Sequence, residues 1–149
     1  MSDNNITIAG NVTRDPELKF LNSGQGAVRF SVAVSRRWQN KSTQEWDEKT
    51  SFFDVQAYGE LATNVANSIT KGARVTVFGR MEQRSWETDA GEKRYAWELI
   101  ADDVAPCLKW ATAQVTRTPK AGAGGSPASA HPSSRQSVLH EPNYEEDAF

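Results

Sequence analysis

From residue 27 to residue 38 the chain alternates without a break. Val28, Phe30, Val32 and Val34 fall on one face, and Arg29, Ser31, Ala33, Ser35 and Arg37 fall on the other. A two-residue period over this length describes a strand with one side buried, and it gives a helix no apolar stripe. Residues 5–13, 51–58, 73–87 and 93–104 read as strands too. Within 51–58, Phe53, Val55 and Ala57 oppose Phe52, Asp54, Gln56 and Tyr58. Between 60 and 71 the period changes: Leu61, Val65 and Ile69, flanked by Ala62 and Ala66, recur at helical spacing, with Gly72 as the stop. Arg14-Asp15-Pro16-Glu17 reads as a turn, residues 40–48 as an exposed polar loop, and 88–92, which carries Gly91, as a hairpin loop.

Three strands, one short helix and a long hairpin make an all-β chain with the element order of the OB-fold. That fold is a five-stranded Greek-key barrel whose open face and loops bind oligonucleotides. Composition shifts near 112. Beyond it lie Pro119, Pro127, Pro132 and Pro142, the glycines of Ala121-Gly122-Ala123-Gly124-Gly125 and many serines. Such a stretch cannot bury enough apolar surface to offset its ordering entropy. The expected organisation is therefore a barrel over 1–112 and a disordered linker with an acidic tip over 118–149.

Several function classes drop out. The chain carries 17 Lys and Arg against 19 Asp and Glu, so it is no polycation, and any pull on a nucleic acid must come from where charge is placed. No apolar run is long enough to span a bilayer, and the first residues lack the pattern of a signal peptide, so a cytoplasmic protein without a membrane role is expected. Cys107 is alone, and both histidines, His131 and His140, fall in the tail. No nucleophile–base pair and no metal-ligand spacing appears, so neither an enzyme nor a cofactor is expected. Gly24-Gln25-Gly26 lacks the residues of a phosphate loop and reads as a turn, as does Asp102-Asp103 at a strand end.

What remains is the aromatic set. The chain has five tryptophans, and Arg36-Arg37-Trp38 and Arg84-Ser85-Trp86 place rings beside cations at strand ends. Flat rings interleaved with cations suit unpaired nucleotides: bases stack on the rings while guanidinium groups meet phosphates. Phe52 and Tyr58 point away from the apolar face of their strand and join Trp38 and Trp86 as candidate stacking residues. Arg36, Arg37, Lys41, Lys71, Arg84 and Arg94 are the candidate phosphate contacts. Trp97 and Trp110 are assigned to packing or assembly, and Trp46, in the polar loop, stays unassigned. The rival reading is an OB-fold adaptor whose rings form protein interfaces; the arginines beside the rings weigh against it.

The chain resembles the bacterial single-stranded DNA-binding protein family over essentially its whole length. The resemblance rests on Ile6-Thr7-Ile8-Ala9-Gly10-Asn11, Asp15-Pro16-Glu17-Leu18, residues 53–59 (FDVQAYG) and residues 71–80 (KGARVTVFGR), in that order. Residues 91–94 (GEKR) and 106–113 (PCLKWATA) are similar to the branch found in high-GC Gram-positive bacteria, where this segment adds a clamp strand between subunits, here reaching to about 117. The resemblance implies a homotetramer that wraps single-stranded DNA without sequence preference and serves replication, recombination and repair. It implies stacking roles for Trp38, Phe52, Tyr58 and Trp86, and docking of replication and repair proteins on the tail residues Glu145, Glu146, Asp147 and Phe149. Asp54 and Glu60 stand where members often carry bases, and the tip lacks the family's proline, departures that suit a specialised second copy.

Overall fold

Along the chain come β1 (Asn5–Val12), β2 (Glu17–Phe20), β3 (Gly26–Gln39), β4 (Trp46–Tyr58), α1 (Glu60–Ser68), β5 (Arg74–Glu87) and β6 (Lys93–Pro106). They are taken from a computed structural model that describes residues 3–120. The strands form one sheet in the order β1-β5-β6-β4-β3-β2, and a further β1–β3 pairing closes five of them into a barrel. All pairings are antiparallel except β4–β6, which runs parallel through Val55↔Leu99 and Gln56↔Ile100. This is the OB-fold, with β2 added as a short flap along β3.

The two-residue period sets the core. Val28, Phe30 and Val32 of β3 meet Val55 and Ala57 of β4, Val75 and Val77 of β5, and Leu99 and Ala101 of β6, all buried. Helix α1 plugs the barrel with Ala62 and Val65, and Ile69 follows them into the core although it has already left the helix. Gly59 starts the helix at φ 70, a left-handed conformation that favours glycine. Glu60 in the first turn offsets the exposed N–H groups. Two glycines permit the barrel's tightest crossings. A Cβ on Gly10 would strike the Ala33 carbonyl, and one on Gly79 would strike the Ile100 carbonyl, where the β5–β6 register shifts between Phe78 and Gly79.

Three boundaries differ from the sequence reading. Strand β2 was not foreseen: four residues with only Leu18 turned partly inward show no period. Pairing with Gly26–Arg29 makes it a strand, through a turn in which Gly24 adopts φ 82. Residues 46–48 belong to β4, because Trp46, Asp47 and Glu48 pair with Gln39, Trp38 and Arg37. Helix α1 ends at Ser68, and Gly72, at φ 87, serves the next turn by donating its N–H to the Val12 carbonyl at 2.7 Å.

The chain divides after Gln114. Residues 107–120 carry no helix or strand, so the single chain shows no clamp strand there. The acidic tip, with Glu145, Glu146, Asp147 and Phe149, lies outside the described residues.

Candidate nucleic-acid interface

Strand register decides which rings can work together. On β3 and β4 the outer face carries Arg29, Ser31, Ala33, Ser35 and Arg37 opposite Gln56, Asp54, Phe52, Thr50 and Glu48. On β5 and β6 it carries Arg84 and Trp86 opposite Ala96 and Arg94, with Glu98 next along β6. The parallel β4–β6 pairing joins these halves into one surface. Phe52, Tyr58 and Trp86 therefore share a face. Phe52 is 69% exposed, and Tyr58 and Trp86 about 40% each.

A carboxylate holds this face together. Glu98 is only 4% exposed, yet it lies on the outer side of the barrel. Its Oε1 accepts from the Arg84 Nε at 3.0 Å and from Arg29 Nη2 at 3.2 Å, and its Oε2 accepts from Gln56 Nε2 at 2.9 Å. The Gln56 Oε1 in turn accepts the Tyr58 hydroxyl at 2.6 Å. Arg84 also lies 4.8 Å from the centroid of the Trp86 ring, within cation–π range. One chain of contacts thus runs from Trp86 through Arg84, Glu98 and Gln56 to Tyr58. Arg29 braces it from β3 and reaches Asp54 at 3.9 Å.

Trp38 is elsewhere. It continues the apolar face of β3, and with Val34, Arg36, Lys49, Ser51 and Phe53 it lines an open groove of about 540 Å³ on the opposite side of the β3–β4 ribbon. Two cations flank the ring there, but it does not share a surface with Phe52 and Tyr58.

The candidate phosphate contacts also separate. Arg36 lines the Trp38 groove, Arg37 stands on the outer face, and Lys41 lies in the tip between β3 and β4. Arg94 faces Trp86 across the hairpin and meets Glu92 at 3.4 Å. Lys71 sits in the α1–β5 connection, where its backbone N–H donates to Asp15 at 2.8 Å, at the opposite end of β5 from Trp86. Among the described residues, Arg36, Arg37, Lys41 and Lys71 carry no ion pair, whereas Arg84 and Arg94 do.

Of the rings assigned to packing, Trp97 is 59% exposed, so a place in the core of the single chain is excluded. Trp110 is exposed as well, with Arg74 at 5.1 Å and Lys109 at 4.8 Å from its ring. The sequence reading missed Arg29, Gln56 and Glu98 as organisers. Parity placed the first two on the outer face, and the third stood out as an acid in the apolar run Ala96-Trp97-Glu98-Leu99-Ile100. Among the described residues no group of His, Cys, Asp and Glu could hold a metal ion, and no helix is long and apolar enough to cross a membrane.

An OB barrel with rings and cations on an open sheet face defines a protein of the oligonucleotide-binding class. The model of the single-strand binding protein family matches residues 3–107, and the chain belongs to that family. Relatives are the single-stranded DNA-binding proteins of Corynebacterium glutamicum, 45% identical over 82% of this chain, and Mycobacterium tuberculosis, 46% identical over 83%. The chain spans 55% of the first relative's length and 76% of the second's. Among solved structures, a Plasmodium falciparum SSB in complex with single-stranded DNA superposes with TM-score 0.67 at 28% identity. A small single-stranded DNA-binding protein from Streptomyces coelicolor superposes with TM-score 0.60 at 32% identity. Each alignment covers 72% of this chain and 97% of the other.

Proposed function

We propose that this chain binds single-stranded DNA without sequence preference and serves replication, recombination and repair in the cytoplasm. Bases stack on Phe52, Tyr58 and Trp86 across the outer face and on Trp38 in the groove behind it. Arg36, Arg37, Lys41 and Lys71 meet phosphates directly, while Arg84 and Arg94 share theirs with Glu98 and Glu92. One observation carries the reading. Three exposed rings occupy a single surface, and the Glu98 network joins two of them, an arrangement that a structural core does not need. Each stacked base contributes about 1–3 kcal/mol.

The protein works as a homotetramer. An open strand edge supports this: residues 5–10 of β1 pair with β5 alone, leaving their other side free for a second copy. Tyr95 and Trp97, exposed on the face opposite Trp86, supply apolar area for further contacts. The acidic tip with Phe149 docks partner enzymes.

Adding oligo-dT should strongly quench the tryptophan fluorescence, and an unchanged spectrum would mean that the rings serve protein contacts instead. Two controls on the same preparation check the rest. Sedimentation should give the mass of four chains. A chain lacking its last five residues should keep DNA binding and lose capture of replication or repair proteins; unchanged capture removes the role of the tip.

A further inference from the structure

Trp46 opens β4 and pairs with Gln39 at the far end of the β3–β4 ribbon. It is 62% exposed, and the side chain that covers it is Arg37, with its guanidinium 5.6 Å from the ring centroid. Phe52 follows six residues later and Tyr58 six after that. An even spacing keeps all three rings on one face of the strand, at intervals of roughly 20 Å. Trp46 thus stands at the distal end of the surface that holds Phe52 and Tyr58.

The tip beneath it is braced. Asn40 Oδ1 accepts the N–H groups of Ser42 at 2.9 Å and Thr43 at 3.4 Å, and Gln39 Nε2 donates to the Gln44 carbonyl at 3.0 Å. Asn40 Nδ2 donates to Asp47 at 3.4 Å, which ties the tip to the start of β4. Glu48 lies on the same face opposite Arg37 and offsets part of its charge, so the ring supplies most of the hold there.

We propose that Trp46, edged by Arg37, is a further base-stacking platform that lengthens the path of single-stranded nucleic acid beyond Phe52. The inference rests on the function proposed above and on the continuity of this face with the Phe52–Tyr58 surface.

The test is oligo-dT of graded length, titrated against the full-length protein and its Trp46→Ala and Trp46→Phe variants. Short oligomers should bind Trp46→Ala as they bind the parent. Once the strand is long enough to reach the tip, the parent should gain roughly 5- to 150-fold in affinity that Trp46→Ala lacks. Trp46→Phe, which keeps a ring, should retain part of that gain and lose quench amplitude with long oligomers only. Identical length dependence in parent and Trp46→Ala overturns the proposal. So does an equal loss at every length accompanied by a lower melting temperature or a changed assembly mass, which would make the ring structural. Should the parent bind no oligo-dT at all, the proposed function fails instead, and the two failures are thereby distinct.

Discussion

At the scale of the residue, Glu98 organises the outer face that carries Tyr58 and Trp86. A carboxylate taken from water needs its charge met, and here two guanidinium groups and an amide meet it on three sides. Both arginines remain about half exposed, so each pair is worth less than a fully buried one. Removing the acid leaves Arg84 without a counter-charge, Arg29 with only Asp54 at 3.9 Å, and Gln56 without its acceptor. Glu98→Ala should therefore lower stability by about 2–4 kcal/mol, and Glu98→Gln by less, since it can still accept. Urea denaturation measures both, and an unchanged midpoint in Glu98→Ala would show that the network contributes nothing. Trp86 should respond as well, because Arg84 loses the contact that holds it over the ring.

Among the elements, the long strands were legible because their period is two and their apolar residues face a common core. The same count already put Trp38 in phase with Val28, Phe30, Val32 and Val34, and so on the opposite side from Phe52. Grouping the rings by kind hid that split; counting parity along the strand reveals it. Strand β2 was not legible, since its strand character comes from pairing with β3 and not from a pattern of its own. The first residues of β4 look like a loop for a related reason. Beyond the barrel the ribbon is open on both sides, so polar residues serve as well as apolar ones. The Glu98 network crosses from β3 through β4 to β6 and β5, and only the three-dimensional pairing of those strands brings it together.

For the whole molecule, net charge of −2 and internal pairing of its cations point to the same outcome. Four candidate phosphate contacts per chain carry no ion pair among the described residues, and two are already engaged by carboxylates. Each phosphate neutralised on a single strand adds about 0.7 to the log–log salt slope, so four give about −3 per chain. Oligo-dT affinity measured across a salt series should follow that shallow line. A slope about half again as steep, about −4 from six contacts, would show that Arg84 and Arg94 abandon their carboxylates for the strand. In the binding mode proposed above, the Glu98 chain also determines where entropy is lost. Trp86, Arg84, Gln56 and Tyr58 are held in mutual register before any strand arrives, so they surrender little freedom when it does. The ordering falls on the nucleic acid, a flexible polymer settling onto a mould that is already set.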